Sequence, residues 1–164
     1  MKTLLLIRHA KSSWEEPGLG DFERPLNDRG KKDAPEMAQR LKNKKVEVDH
    51  FVTSPAKRAY KTAKIFAEAY DVKKDQIQQE KQLYLADPEE FKNIIASLDN
   101  AHKTVAIFSH NPGITEFANS LTTVRIDNMP TCSIFAVVAD VEEWKDFDSA
   151  NKRLLFFDYP KNVK

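Results

Sequence analysis

Cysteine is almost absent from the chain: Cys132 stands alone among 164 residues, which excludes an internal disulfide framework and suits a reducing compartment. Glycine is also sparse, at four residues, and no tract is low in complexity. With 41% apolar and 31% charged residues, an intrinsically disordered chain is excluded. An excess of either charge is missing too. Twenty-six Lys and Arg against 25 Asp and Glu leave a net charge of +1, which provides no global field for nucleic acid or an anionic membrane. Neither partner is expected, and any anion site must be local. The four histidines are scattered and show no metal-ligand spacing, so no metal is expected. The apolar run Leu4–Ile7 is too short for a signal peptide or a membrane span and leads into Arg8 and Lys11, making a cytoplasmic location the expectation.

What is present is an alternation of short apolar runs and amphipathic segments in a length that fits one domain, residues 1–164. Thr3–Ile7, His50–Thr53 and Thr104–Phe108 read as strands buried on both faces, as parallel sheets require. Each is followed by a polar or proline-bearing turn and then a helical pattern. Helices are expected from Asn27 or Asp28 to about Lys42, from Pro55 to Tyr70, from Pro88 to Leu98 and from Pro112 to Leu121. Pro35 should kink the first of these or mark a later start. Ser133–Ala139 and Arg153–Asp158 read as two further strands, joined by the acidic stretch Asp140–Asp148 as a hairpin-type connection at a sheet edge, of which Glu142–Asp148 is expected to be solvated. The fold class is therefore α/β.

Ligands of open parallel sheets gather outside the carboxyl ends of the strands. Three of those exits read Arg8-His9-Ala10-Lys11-Ser12, Ser54-Pro55-Ala56-Lys57-Arg58 and Ser109-His110-Asn111-Pro112-Gly113. A single His or Arg at a strand end is usually structural or solvated. Two arginines and two histidines at three exits suggest more, because guanidinium forks bind phosphoryl oxygens at two points and a neutral imidazole can attack phosphorus.

Four blocks in order, Arg8-His9-Ala10, Arg24-Pro25-Leu26-Asn27-Asp28-Arg29-Gly30, Thr53-Ser54-Pro55 with Arg58, and Ser109-His110-Asn111-Pro112-Gly113, resemble the histidine phosphatase, or phosphoglycerate-mutase-like, superfamily. The segment R-H-A-K-S-S-W and the short length resemble its phosphohistidine phosphatase branch. The resemblance implies a three-layer α/β/α fold with a mostly parallel central sheet and no cofactor. It implies that His9 is the nucleophile, that Arg8 and Arg58 clamp the phosphoryl oxygens, and that His110 donates to one of them. The nitrogen of His9 that does not attack should donate its proton to a backbone carbonyl. Lys11, Ser12 and Asn111 are further candidates for phosphate or substrate contact, and Ser54 and Trp14 stand beside them.

The chain departs from the family pattern at two places. Ala10 replaces the usual glycine after the histidine, which is tolerable where φ is negative. The block Leu83-Tyr84-Leu85-Ala86 lacks the glutamate that serves larger members as general acid. Asp87 and Glu80 are the nearby substitutes, each more plausible as a cap or surface residue. Lacking an acid favours phosphohistidine, whose imidazole leaves as a good neutral group, over phosphate esters, where acid help is typically worth about 10²–10⁴-fold. The expected partners are accordingly a phosphorylated protein or a small phosphate ester, with inorganic phosphate as product. A small-molecule phosphomonoesterase and a weakly catalytic phospho-ligand binding module are the competing readings. Cys132 is read as a buried filler, and His50 and His102 as structural or surface residues.

Overall fold

The computed structural model describes residues 1–162. Strands β1 (Lys2–Arg8), β2 (His50–Thr53), β3 (Gln78–Gln79), β4 (Thr104–Ser109), β5 (Ile134–Ala139) and β6 (Lys152–Asp158) form one sheet in the order β3-β2-β4-β1-β5-β6. The first four are mutually parallel. β5 runs antiparallel to both β1 and β6, so the sheet is mixed with one reversed strand. Helices α1 (Asp28–Asn43), α2 (Lys57–Ala69), α3 (Pro88–Ala96) and α4 (Gly113–Leu121) complete a three-layer α/β/α arrangement.

The all-apolar strands explain the layers. In β1, Leu4 and Leu6 point into one core with Phe91, Ile95 and Phe117 of α3 and α4. Leu5 and Ile7 point into the other with Met37, Ala38 and Leu41 of α1 and Ala63 and Phe66 of α2. β4 divides in the same way, Val105 and Ile107 to the first core, Ala106 and Phe108 to the second. Successive side chains of a strand face opposite sides, so a run with no polar alternation needs helices on both. Fully burying each such side chain contributes roughly 1.5–3 kcal/mol.

The local signals act at the helix starts. Asn27 caps α1 by accepting from the Gly30 amide at 2.9 Å, and Asp87 and Glu90 close a reciprocal capping box at α3. α1 then runs through Pro35 without restarting, so that proline marks no later beginning. Lys31, whose carbonyl loses a partner there, is exposed along with Pro35, and water can satisfy the orphaned group. Gly30 has a separate reason to be glycine: a Cβ there would sit 2.2 Å from the Lys11 carbonyl oxygen. That close approach presses the start of α1 against the chain leaving β1.

A further expectation needs correction, and one strand went unread. The connection from Asp140 to Asp148 is not a uniformly solvated edge, because Trp144 and Phe147 are buried in the core. The Trp144 indole donates to the His102 carbonyl at 2.8 Å and its amide to Asn100 Oδ1 at 2.7 Å, while Asp140, Glu142 and Asp148 around them stay outside. β3 went unread because two glutamines carry no periodicity; pairing with Val52 and Thr53 alone defines it.

Candidate active site

Adjacent β1, β4 and β2 deliver Arg8 and His9, His110, and Arg58 to one end of the sheet. A cavity of about 500 Å³ opens there, lined by Arg8, His9 and Arg58 together with Lys11, Ser12, Trp14, Asp21, Arg24 and Asn111. His110 does not line the opening but packs behind it, its ring centroid 5.1 Å from that of His9. The four residues singled out at the strand exits therefore meet.

His9 is oriented by its own backbone. Its Nδ1 lies 2.7 Å from the Ala10 carbonyl oxygen and must donate to it, which leaves the lone pair on Nε2. The Arg58 Nε–H reaches that nitrogen at 3.4 Å. Ala10 keeps a negative φ, so the methyl group in place of glycine is unstrained, and its amide donates to Thr62 Oγ1 at 3.0 Å. Burial pushes His9 down to about 3, and the charges of Arg58, Arg8 and Arg24 act in the same direction against the pull of the Ala10 hydrogen bond. The imidazole is neutral at physiological pH, with Nε2 as the available nucleophilic atom.

His110 is neutral for similar reasons: burial first, then the proximity of His9 and Arg58, push it down to about 2. Its Nε2 is 2.7 Å from Ser54 Oγ. That oxygen accepts from the Ala56 amide at 3.2 Å, and among the described residues its own proton has no acceptor other than Nε2, so the hydroxyl donates to the ring and Nδ1 of His110 carries the ring proton. Nδ1 has no acceptor, and neither does Nε of Arg8. Among the described residues only three buried side-chain polar atoms lack a partner, and two of them are these donors. Each orphaned donor costs roughly 1–3 kcal/mol unless an acceptor arrives, which marks this end of the sheet as a place for an anion.

The arginines are held by a network that the sequence did not reveal. Arg58 donates from Nη1 to the Asp21 carbonyl at 2.6 Å and from Nη2 to Asp21 Oδ2 at 2.9 Å. Arg24 pairs with Asp21 Oδ1 at 3.0 Å, donates to Ser12 Oγ, and stacks its guanidinium 3.1 Å from the centroid of Trp14. Tyr84 donates its hydroxyl proton to Asp21 Oδ2 at 2.7 Å. Burial works against ionising Asp21, yet the hydrogen bonds from Tyr84 and Arg58 with the nearby positive charge hold its carboxyl down at about 2. Arg8 is anchored separately, Nη1 donating to the Met129 carbonyl at 2.8 Å.

The remaining candidates fall unevenly. Lys11 and Ser12 line the cavity, Ser12 as the acceptor for Arg24. Asn111 lines it as well, but its amide donates to Asn128 Oδ1 and the Met129 carbonyl, and its oxygen accepts from Thr115 Oγ1. Asp87 is spent as the α3 cap, and Glu80 accepts from the Gln78 amide at 2.6 Å; neither lines the cavity. Cys132 is wholly buried, and burial pushes its thiol up, so it is no nucleophile. His50 and His102 stack on each other, centroids 4.3 Å apart, beside the opposite ends of β2 and β4. Sequence reasoning missed Asp21, Arg24 and Tyr84 as site members. Arg24 had a signal, since it opens the block Arg24–Gly30; Asp21 had none.

The neutral histidines carry a stability consequence. Between about pH 6.5 and 4.5 an unfolded chain protonates both imidazoles, whereas the native state holds His9 at about 3 and His110 at about 2 and takes up neither proton. The unfolded state then binds more protons, so stability falls with pH, each group contributing about 1.4 kcal/mol per pH unit. Urea midpoints at pH 7 and 4.5 check this; equal midpoints would contradict the buried neutral pair.

The chain is similar to known proteins in sequence over its first half and in fold over its whole length. Residues 4–84, the stretch holding Arg8, His9, Arg24, Arg58 and Tyr84, match the family described as histidine phosphatase superfamily (branch 1). That stretch, 81 of the 164 residues, carries the superfamily's pattern, and the fold of the whole is the phosphoglycerate-mutase-like one. Phosphoserine phosphatase 1 of Hydrogenobacter thermophilus is 40% identical over 82 residues, covering 47% of this chain and 38% of the relative, so the match spans well under half of that enzyme. An uncharacterized chloroplastic protein of Arabidopsis thaliana is 28% identical over 88% of this chain and 70% of its own length. Among solved structures, the protein histidine phosphatase SixA complexed with tungstate superposes with a TM-score of 0.83, 22% identity and 99% coverage of both chains. A mycobacterial glucosyl-3-phosphoglycerate phosphatase with inorganic phosphate gives a TM-score of 0.71 at 14% identity, with both chains fully covered.

Proposed function

We propose that this chain is a phosphatase that takes a phosphoryl group onto Nε2 of His9 and returns it to water, with protein phosphohistidine as the substrate. The observation that carries the reading is the pair of buried, partnerless donors, Arg8 Nε and His110 Nδ1, beside a neutral imidazole whose Nε2 lone pair meets only the long 3.4 Å contact from Arg58 Nε. Arg8 and Arg58 supply positive charge to the equatorial oxygens, and the His110 Nδ1 proton supplies one hydrogen bond. In the first step Nε2 forms a bond to phosphorus as the bond to the leaving imidazole breaks, and the departing ring takes its proton from solvent. In the second step water attacks the phosphoimidazole and His9 leaves as a neutral ring, its Nδ1 proton held on the Ala10 carbonyl throughout. Lys11 and Ser12 at the rim contribute to substrate contact. Asn111, with its amide already engaged, acts by shaping the wall.

The choice of phosphohistidine over a phosphate ester rests on acidity. An alkoxide leaving group needs a proton in the transition state. The carboxylate nearest the arginines, Asp21, is held ionised by Tyr84 and Arg58 and is a poor donor in this arrangement. An imidazole leaving group does without one. The phosphoserine phosphatase relative favours the ester reading, so the two are compared directly: kcat/KM for a phosphohistidine protein is expected to exceed that for phosphoserine by at least tenfold. Brief exposure to the phosphohistidine protein should also leave an acid-labile, alkali-stable phosphate on His9. Faster hydrolysis of phosphoserine would transfer the assignment to small esters, and the absence of any labelled enzyme with either substrate would refute the covalent route.

A further inference from the structure

A second groove, of about 400 Å³, lies against the side of the active site. Its walls carry four lysines, Lys31 from α1 and Lys57, Lys61 and Lys64 from α2, and no acidic residue. The three on α2 follow the spacing i, i+4, i+7, which sets them on one helical face. Like charges at that spacing destabilise a helix by roughly 0.2–0.5 kcal/mol per pair when nothing offsets them. Among the described residues none of the four lysines lies in an ion pair, and Glu68, one turn beyond Lys64, is the first acidic residue along the helix.

The floor between the lysines is apolar. Pro25, Leu26 and the ring of Tyr60 form it, with Lys64 Nζ 4.9 Å from the Tyr60 centroid. Past Lys61 and Lys64 the surface opens into a hollow of about 690 Å³ where Glu68, Asp71 and Asp75 reappear, so the uncompensated stretch has a definite end. At its other end it is one residue along the chain from the pocket around His9. Pro25 follows Arg24 and Lys57 precedes Arg58, and both arginines line the cavity around His9.

We infer that this groove is a docking surface for an acidic polypeptide segment of the substrate protein, two or more carboxylates meeting the lysines over an apolar side chain seated on Leu26 and Tyr60. The inference rests on the protein-substrate reading above for its purpose but on charge and shape for its existence. A unipolar strip beside a reaction centre raises the encounter rate of a partner of opposite charge and fixes its approach. A small phosphorylated compound would not extend that far from His9. The near-neutral whole chain conceals the strip because Asp and Glu are concentrated elsewhere, Asp140, Glu142, Glu143, Asp146 and Asp148 lying together in the β5–β6 connection.

The test compares wild type with Lys57→Glu/Lys61→Glu/Lys64→Glu and with the milder triple alanine variant, after thermal melts confirm folding. The probe is a fluorescent peptide of alternating Glu and Asp with one central Phe, followed by anisotropy at low salt. The wild type should bind it, the alanine variant about tenfold more weakly, and the glutamate variant not detectably, with wild-type binding lost by about 0.5 M salt as exposed charges are screened. In parallel, kcat/KM on a phosphohistidine protein should drop about tenfold in the glutamate variant while hydrolysis of free phosphoramidate stays within twofold. No peptide binding by wild type, or binding equal in all three proteins, overturns the docking surface whatever the catalysis. Tighter, lysine-dependent binding to phosphatidylserine vesicles or to RNA than to the peptide overturns it in favour of those partners. Lysine-dependent peptide binding without turnover of any phosphohistidine protein leaves the docking surface standing and removes the substrate assignment instead.

Discussion

Replacing His9 by alanine is expected to reduce turnover by on the order of 10⁴-fold or more and to abolish the phosphorylated intermediate. The size of the effect follows from what is removed. The other residues around the cavity can bind and polarise a phosphoryl group, but the imidazole that remains, His110, packs behind the opening with its Nε2 engaged by Ser54 Oγ and is not placed to form the bond to phosphorus. The fold should survive, because Ala10, whose carbonyl accepts from His9, remains fixed through the hydrogen bond its amide donates to Thr62 Oγ1. Single-turnover kinetics with radiolabelled phosphohistidine protein measures both quantities. A variant that keeps its label, or loses less than tenfold in rate, would show that another group attacks. If the variant binds the phosphoprotein as well as wild type and wild type itself turns over nothing, the protein is a phospho-ligand binder and not an enzyme.

The second large effect belongs to Arg58. Its Nε–H points at His9 Nε2, the nitrogen proposed to attack, and its two Nη groups are on Asp21, so one side chain links the proposed nucleophile and clamp to the loop. Arg58→Ala should lower kcat/KM by about 10²–10³-fold, the range found when one preorganised donor to a developing oxyanion is deleted. It should weaken product inhibition by inorganic phosphate in parallel. Arg58→Lys restores charge without the planar fork and should recover only part of the loss, since a point charge cannot serve Asp21 and a phosphoryl oxygen together. Steady-state kinetics with phosphate as inhibitor decides it. Full recovery in the lysine variant would show that charge alone is required, and an alanine variant within threefold of wild type would remove Arg58 from the clamp.

Much of this architecture is legible in the sequence for a physical reason. Runs such as Leu4–Ile7 and Val105–Phe108 have no polar face, and a strand of that kind can only lie between two layers of helices. Arg8, His9, Arg58 and His110 could be placed together because chemistry in such sheets sits at the strand exits, and that rule needs only the strand ends, not their order. Ala10 and the Nδ1 hydrogen bond of His9 followed from backbone and tautomer arguments that are local. What lay beyond reach was set by distance along the chain. Asp21 meets Arg58 across 37 residues and Tyr84 across 63, from a loop with no periodic pattern and a single turn of 3₁₀ helix. The reversal of β5 is likewise a decision of the whole sheet, and Trp144 is drawn inside by partners at Asn100 and His102 that no window around the acidic stretch contains.

His9, His110 and Arg58 arrive from β1, β4 and β2, three neighbours in the middle of the sheet, and β4 is hydrogen-bonded to both of the others. The reaction centre is therefore a property of the assembled middle of the molecule and of no fragment of it. Fraying of the outermost β6 can be tolerated without touching the site, whereas separating β4 from either neighbour dismantles the proposed nucleophile and clamp at one stroke. Catalytic competence thus serves as a built-in gauge of whether those three strands have zipped together.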